Sequence, residues 1–398
     1  MTQTMPRPEA LAGLQAEGAF YVFDIPALAA RVAQLRAALP SGAALVYAVK
    51  ANPFIARAAA PLTDRFEICS PGEWAICKAA GLPTKKAVIS GVYKPEAFIR
   101  ALVNDPGFAG TLTVESLLQY DQIARAAEAA GRRVPVLLRL TNGSQFGLDE
   151  ADAEALTANR DAHPNVDIAG IQFFSGTQKT SVKKLRRELM ALDGFIARMR
   201  EAHGFETRAL EYGPGLPAAM FEEDAFDPDE ILEGLSAALS ALRFAGALAL
   251  ELGRGIAAGC GRYFTHVVDV KRCQGQNYAV TDGGLHQLTY FGQFMGMKHP
   301  RLSLVGREDE PAGEVWNLCG ALCSMNDILV KQASLPRLRV GDTLCFENAG
   351  AYCVTEGMSL FLSRDLPAVY LRETDGTIRR VRDNFETAAL NTPDYERK

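Results

Sequence analysis

The sequence predicts an α/β protein in two parts, a closed (β/α)8 barrel followed by an antiparallel β domain. Two observations carry this. Eight short apolar runs recur between residues 44 and 253 with helix-patterned segments between them. Buried strands alternating with helices make a parallel sheet, and eight repeats over this length close a barrel. From residue 260 onward the strands become shorter and alternating, separated by Gly-containing turns.

The eight runs are, in order, "ALVYAVKA" (44–51), "FEICS" (66–70), "AVIS" (87–90), "GTLTVES" (110–116), "VPVLLRL" (134–140), "IAGIQFF" (168–174), "ALEYG" (209–213) and "ALALELG" (247–253). Helical pattern fills "PEAFIRALVND" before the fourth, "LLQYDQIARAAEAAG" before the fifth and "SVKKLRRELMALDGFIARMREAHG" before the seventh. Beyond the eighth, "HVVDVKRCQGQNYAVTDGG" and "RVGDTLCFENAGAY" read as hairpin strands. In "AVYLRETDGTIRRVRDN" an Asp-Gly turn separates two strands, a strong hairpin signal. The early "GAFYVFD" would make a ninth barrel strand, so it is expected to join the later sheet. The expected boundaries are 28–255 for the barrel, with 1–27 and 256–398 in the β-rich domain.

Composition narrows the function. The 398 residues carry a net charge of −5, so no basic surface points to nucleic acid. No apolar run approaches membrane-spanning length. The opening "MTQTMPRPEALAGLQAEG" lacks an apolar signal core, from which a cytoplasmic protein is expected. Eight cysteines are sparse, and none forms Cys-x-x-Cys or clusters with histidine at zinc spacing, so neither a disulfide framework nor a metal site is expected.

Lys50 stands out inside "VYAVKANP". It reads either as a solvated lysine at a strand end or as an amine in a dry pocket, where its pKa falls and it can form a Schiff base with a carbonyl. Barrel enzymes place their chemistry at the C-terminal ends of the strands. Lys50, Ser70, Arg139, Thr177, Gly213 to Gly215, Glu251 and Arg254 all fall there. The Gly-rich turns "FFSGTQ", "YGPGLP" and "ELGRG" (with Gly253) follow the last three strands, where backbone N–H groups, a hydroxyl and a guanidinium suit a phosphate. An amine beside such turns points to a phosphorylated carbonyl cofactor.

On these motifs the chain resembles a known family. "YAVKANP", "SPGEW", "GTQ", "ELGRG", "LCSMND" and "ENAGAY" occur in the order seen in fold-type III pyridoxal-phosphate decarboxylases, which include diaminopimelate and ornithine decarboxylases, with alanine racemase a more distant relative. The resemblance runs from roughly residue 20 to 385. It implies an alanine-racemase-like fold, pyridoxal 5'-phosphate as cofactor, and a homodimer with shared active sites. It also implies roles. Lys50 would hold the cofactor and Glu251 would pair with the pyridine nitrogen. Arg254, Thr177, Gly213 to Gly215 and Tyr352 would surround the phosphate, with Arg139 and Phe174 near the ring. Cys323 would return a proton after CO2 leaves, and Asp327 would contact the substrate.

The chain also departs from the family. Relatives commonly carry histidine where this chain has Phe174, which stacks but cannot titrate. An acid often follows the cysteine; here it is Ser324. Diaminopimelate decarboxylases place an arginine shortly after the Asp-x-Gly turn, whereas "TDGGLHQLTYFGQF" has none and offers His286 and Tyr290. These changes resemble the branch acting on siderophore precursors or on amino acids held by carrier proteins. Other readings are a diamino-acid decarboxylase, an amino-acid racemase (which would usually show "AYGHG" after its lysine) and a cofactor-binding protein without catalysis.

Overall fold

A computed structural model describes residues 17–394 together with Pro8, Leu11 and Leu14. Most of the N-terminal stretch used above to infer a cytoplasmic location, and much of the first 27 residues assigned to the β-rich domain, therefore lie outside the described residues. Among those described, no helix is long and apolar enough to cross a membrane.

The first strand, β1 (Phe20–Asp24), belongs to the sheet domain. The next eight form the closed barrel in sequence order: β2 (Ala44–Ala48), β3 (Arg65–Ile68), β4 (Ala87–Ile89), β5 (Thr111–Val114), β6 (Val134–Leu140), β7 (Val166–Phe174), β8 (Ala209–Gly213) and β9 (Ala247–Leu252). Each coincides with one of the eight apolar runs. All neighbours are parallel, and β9 closes on β2 with Glu251 beside Val46. Barrel strands are wetted on neither face, so they read as nearly continuous apolar runs.

One boundary differs in a way that matters. The run through Lys50 was read as strand to residue 51, but β2 stops at Ala48 and Lys50 sits in a 3-10 turn, Val49–Ala51. Asn52 then caps a second such turn, accepting the Phe54 N–H at 3.0 Å. The lysine thus leaves the strand ladder at its C-terminal end.

The barrel unit comprises Arg31–Pro217 and Asp227–Ile256; the sheet unit takes the other described residues, including Ala218–Phe226. In the sheet unit β10 (Gly261–Cys273) and β11 (Gln276–Thr281) form a hairpin. Its two turn residues, Gln274 and Gly275, have φ of 49° and 83°, the left-handed pair that matches strand twist. Then come β12 (Leu302–Leu304), β13 (Glu314–Cys319), β14 (Ile328–Leu335), β15 (Thr343–Phe346), β16 (Ala368–Arg372) and β17 (Ile378–Arg382). β16 and β17 are the Asp-Gly hairpin. The sheet is mixed rather than purely antiparallel: β1 runs antiparallel to β10 but parallel to β16, and β11 is parallel to β13. Inserting the N-terminal strand between two late strands produces the parallel β1–β16 pair, and alternation of residues does not reveal strand direction. The fully buried β1 anchors a core of Leu11, Phe20, Val22, Phe264, Cys345, Ala368 and Tyr370.

Candidate active site

Strands β9, β2 and β3 are adjacent, so their C-terminal ends bring four ionisable groups together. The Lys50 Nζ lies 2.5 Å from Glu67 Oε2 and 3.4 Å from Glu251 Oε1, with the Cys69 Sγ at 3.5 Å. The surroundings are not the apolar pocket raised for Lys50. Its side chain is 38% exposed, and it meets two almost completely buried carboxylates. Glu67 and Cys69 lie in the run "FEICS" yet escaped notice, because an acid in a short buried strand gives no periodic signal.

The two carboxyls differ sharply in acidity. Burial alone would raise Glu67, but the Lys50 charge and hydrogen bonds from Glu251, Lys50 and Cys69 outweigh it and hold Glu67 at about 2. Burial raises Glu251, and the Glu67 charge pushes it further, to about 8, against the pull of Lys50. Glu67 is therefore the anion and Glu251 keeps the proton. Burial, then the Glu67 charge, pushes the Cys69 thiol well up, so it stays protonated beside the amine. Gln172 Nε2 donates to the other oxygen of Glu251 at 2.8 Å.

The Gly-rich turns form a backbone cradle. Gly215 has φ +62°, and a Cβ there would stand 2.0 Å from the Gly176 carbonyl oxygen. At Gly176, φ +129°, a Cβ would point into open space. The two turns are pressed together and held by the Lys179 N–H donating to the Gly215 carbonyl at 3.0 Å. Below them Glu188 accepts from Ser175 Oγ (2.5 Å), Lys179 Nζ (2.7 Å) and the Tyr212 hydroxyl (2.7 Å). These supporting residues were not identified from the sequence, since their function depends on packing between a helix and two strands. Arg254 Nε reaches Thr177 Oγ1 at 3.4 Å. Gly213 has a different reason: a Cβ would meet the Phe174 ring at 2.6 Å, so the phenyl lies across the β8 end. Gly253 follows the β9 strand and its carbonyl accepts the Ile256 N–H.

Arg139 is buried at the end of β6. It donates to Glu115 at 3.1 Å and lies over the Phe146 ring, 4.7 Å from its centroid. Ser70 proves to be a helix cap: it accepts the Glu73 N–H at 3.1 Å, while Glu73 accepts the Cys69 N–H at 2.6 Å.

The remaining expected residues lie in the sheet unit. Cys323 is exposed in a loop, and the neighbouring Ser324 hydroxyl accepts the Asn326 N–H at 3.2 Å. Asp327 is 2% exposed, and both its oxygens accept backbone N–H groups, from Leu285 and Leu322, each at 2.7 Å. Its carboxylate ties the "DGGLH" turn to the cysteine loop rather than standing ready for a substrate amine. Tyr290 is buried, with its hydroxyl donating to the Glu347 carbonyl at 2.5 Å. His286 is also buried, and burial followed by the Arg364 charge lowers it to about 4, so it is neutral. Tyr352 sits at φ 68° with its carbonyl accepting the Thr355 and Glu356 N–H groups.

A barrel with an amine flanked by carboxylates at one set of strand ends, and glycine turns, a hydroxyl and a guanidinium at another, defines an enzyme class that works through a phosphorylated aldehyde. Pyridoxal phosphate fits this donor set: amine for aldehyde, carboxyl for ring nitrogen, and Gly176, Thr177 and Arg254 for phosphate. The family model described as "Pyridoxal-dependent decarboxylase, C-terminal sheet domain" matches residues 20–350. The chain belongs to this family and is a pyridoxal-phosphate-dependent decarboxylase, not a racemase or a non-catalytic binder. It is similar to the L-glutamyl-[BtrI acyl-carrier protein] decarboxylase of Niallia circulans, 25% identical over 89% of both chains. Diaminopimelate decarboxylase of Neisseria meningitidis is 29% identical, covering 77% of this chain and 76% of its own. The 2-[(L-alanin-3-ylcarbamoyl)methyl]-2-hydroxybutanedioate decarboxylase of Staphylococcus aureus is 24% identical over 89% of this chain and 94% of its own.

One expected result follows from the cradle. Arg254→Ala weakens pyridoxal phosphate binding by about 1.5–3 kcal/mol, the scale of a hydrogen bond to a charged group. Titrating apoprotein with the cofactor by absorbance checks this; unchanged affinity removes Arg254 from the phosphate site.

Proposed function

We propose that the enzyme decarboxylates an amino acid whose far end is neutral, or is joined to a larger acid or a carrier protein. The single observation carrying this is the lack of charged grips. Ser324 follows Cys323 where an acid would meet a distal ammonium, and no arginine occurs in "DGGLHQLTYFGQF". His286 cannot replace that arginine as a cation, because it is buried and neutral. Leaving an ammonium or carboxylate buried without its partner is costly. The two relatives named for a carrier-bound glutamate and for an amide-linked amino acid support the reading.

In this reading Lys50 holds the cofactor aldehyde, Glu251 faces the ring nitrogen, and Arg139 and Phe174 lie near the ring. Gly213 to Gly215 and Gly253 complete the phosphate cradle; the family resemblance adds Tyr352 as a phosphate contact. When bound, the cofactor supplies the electron sink for the carbanion left by CO2. Cys323 donates the proton to that carbon. Ser324, His286 and Tyr290 border the substrate's far end, and Asp327 holds that loop in place. The enzyme is a homodimer in the cytoplasm, with each Cys323 loop completing its partner's site.

The test is CO2 release from free ornithine, lysine and diaminopimelate against conjugated and carrier-bound amino acids. Free diamino acids should fall at least about 100-fold behind in kcat/KM, and Ser324→Glu should narrow the gap for ornithine and lysine. Efficient turnover of a free diamino acid by the unaltered enzyme overturns the substrate assignment.

A further inference from the structure

Three buried polar residues stand side by side in register on adjacent barrel strands: Arg139 on β6, Gln172 on β7 and Glu211 on β8. Two of them present acceptors with no hydrogen-bond partner. Among the described residues the Gln172 Oε1 has none, and neither has Oε1 or Oε2 of Glu211. Arg139 also carries an unpartnered Nε, but its guanidinium is drawn the other way, by Glu115 on its β5 side and by stacking on Phe146. Among the described residues Glu211 pairs with Arg65 alone, at 3.8 Å, beyond hydrogen-bond range. Arg65 itself donates to Thr111 Oγ1 at 2.6 Å.

Unsatisfied buried acceptors are costly, and two on neighbouring register positions share a remedy. A single proton on the carboxyl turns one acceptor into a donor aimed at the other. We propose that Glu211 is protonated and donates to Gln172 Oε1, which fixes the direction of the amide so that its Nε2 points at Glu251. Glu211 is thus a positioning residue, acting on Glu251 through Gln172. Without it the amide is free to turn over and present oxygen to the Glu251 carboxyl. The surrounding charges leave the balance to burial: Arg65, Lys50 and Arg139 favour the anion and Glu67 opposes it, while burial, the largest influence, raises Glu211 to about 7. The significance for catalysis rests on Glu251 facing the ring nitrogen; the proton on Glu211 does not.

The test uses the holoenzyme with pyridoxal phosphate bound. Infrared spectra below pH 7 should show a carboxylic-acid C=O stretch that Glu211→Gln lacks. Glutamine keeps a neutral donor, so that variant should retain the pH profile of the cofactor absorption band. Glu211→Met removes the donor and should displace the midpoint of that profile by about 0.5–1 pH unit, the equivalent of one hydrogen bond. A wild-type spectrum with no acid band assignable to Glu211, or a Glu211→Gln profile displaced as far as that of Glu211→Met, overturns the proposal. If the methionine variant does not fold, the infrared band and the glutamine profile decide alone. If the acid band is present while neither variant moves the profile, the Glu211 proton stands and its link to Glu251 is overturned.

Discussion

Lys50→Ala abolishes fixation of the cofactor by borohydride and lowers turnover by roughly four orders of magnitude or more, the scale of losing a catalytic nucleophile. Among the described residues Lys50 is the only lysine whose amine hydrogen-bonds both Glu67 and Glu251, at 2.5 and 3.4 Å. Peptide mapping after borohydride reduction checks the assignment; label recovered on another lysine in the variant sinks it. The same substitution has a second consequence. Glu67 is depressed to about 2, below its ordinary 4.5, so its contribution to stability is present above about 4.5 and fades as pH falls toward 2. Lys50→Ala removes the leading cause of that depression. Apoprotein of the variant should therefore melt lower than wild type at neutral pH, and the difference should shrink on acidification.

Mixing inactive Lys50→Ala with inactive Cys323→Ala should restore about a quarter of wild-type activity. Random exchange in a two-fold dimer makes half the dimers mixed, and each mixed dimer has one site with both residues intact. The separate variants should each remain lower by at least about 100-fold, the scale of losing a lone proton donor. Cys323 is exposed on its loop, as the proposed shared site requires. No recovery after subunit exchange has been confirmed by native mass spectrometry counts against the shared site.

The barrel was legible because its strands are buried on both faces, so each appears as an apolar run with its boundaries nearly intact. The sheet was less so: nothing in "FYVFD" says that it runs parallel to a strand near the other end of the chain. Of the site, the residues that stand at strand ends or in glycine turns could be named, since position alone singles them out. Glu67, Gln172, Glu188 and Glu211 could not, because each matters only through a neighbour on another element. Asp327 and Tyr290 could be named, but not what their polar atoms bond to. Both are polar residues in motif-bearing loops, and both spend their hydrogen bonds on backbone groups of those loops.

The seating of β1 between β10 and β16 sets a timetable for synthesis. Asp24 is bonded to Arg372, 348 residues later. At about 5–20 residues per second, β1 emerges from the ribosome roughly 17–70 s before that partner exists. The barrel strands, contiguous from Ala44 to Leu252, are all made within this interval. The nascent chain thus carries a bare apolar strand ahead of a barrel that can already close, and truncated chains ending before β16 leave one edge of that strand open to pairing with other chains.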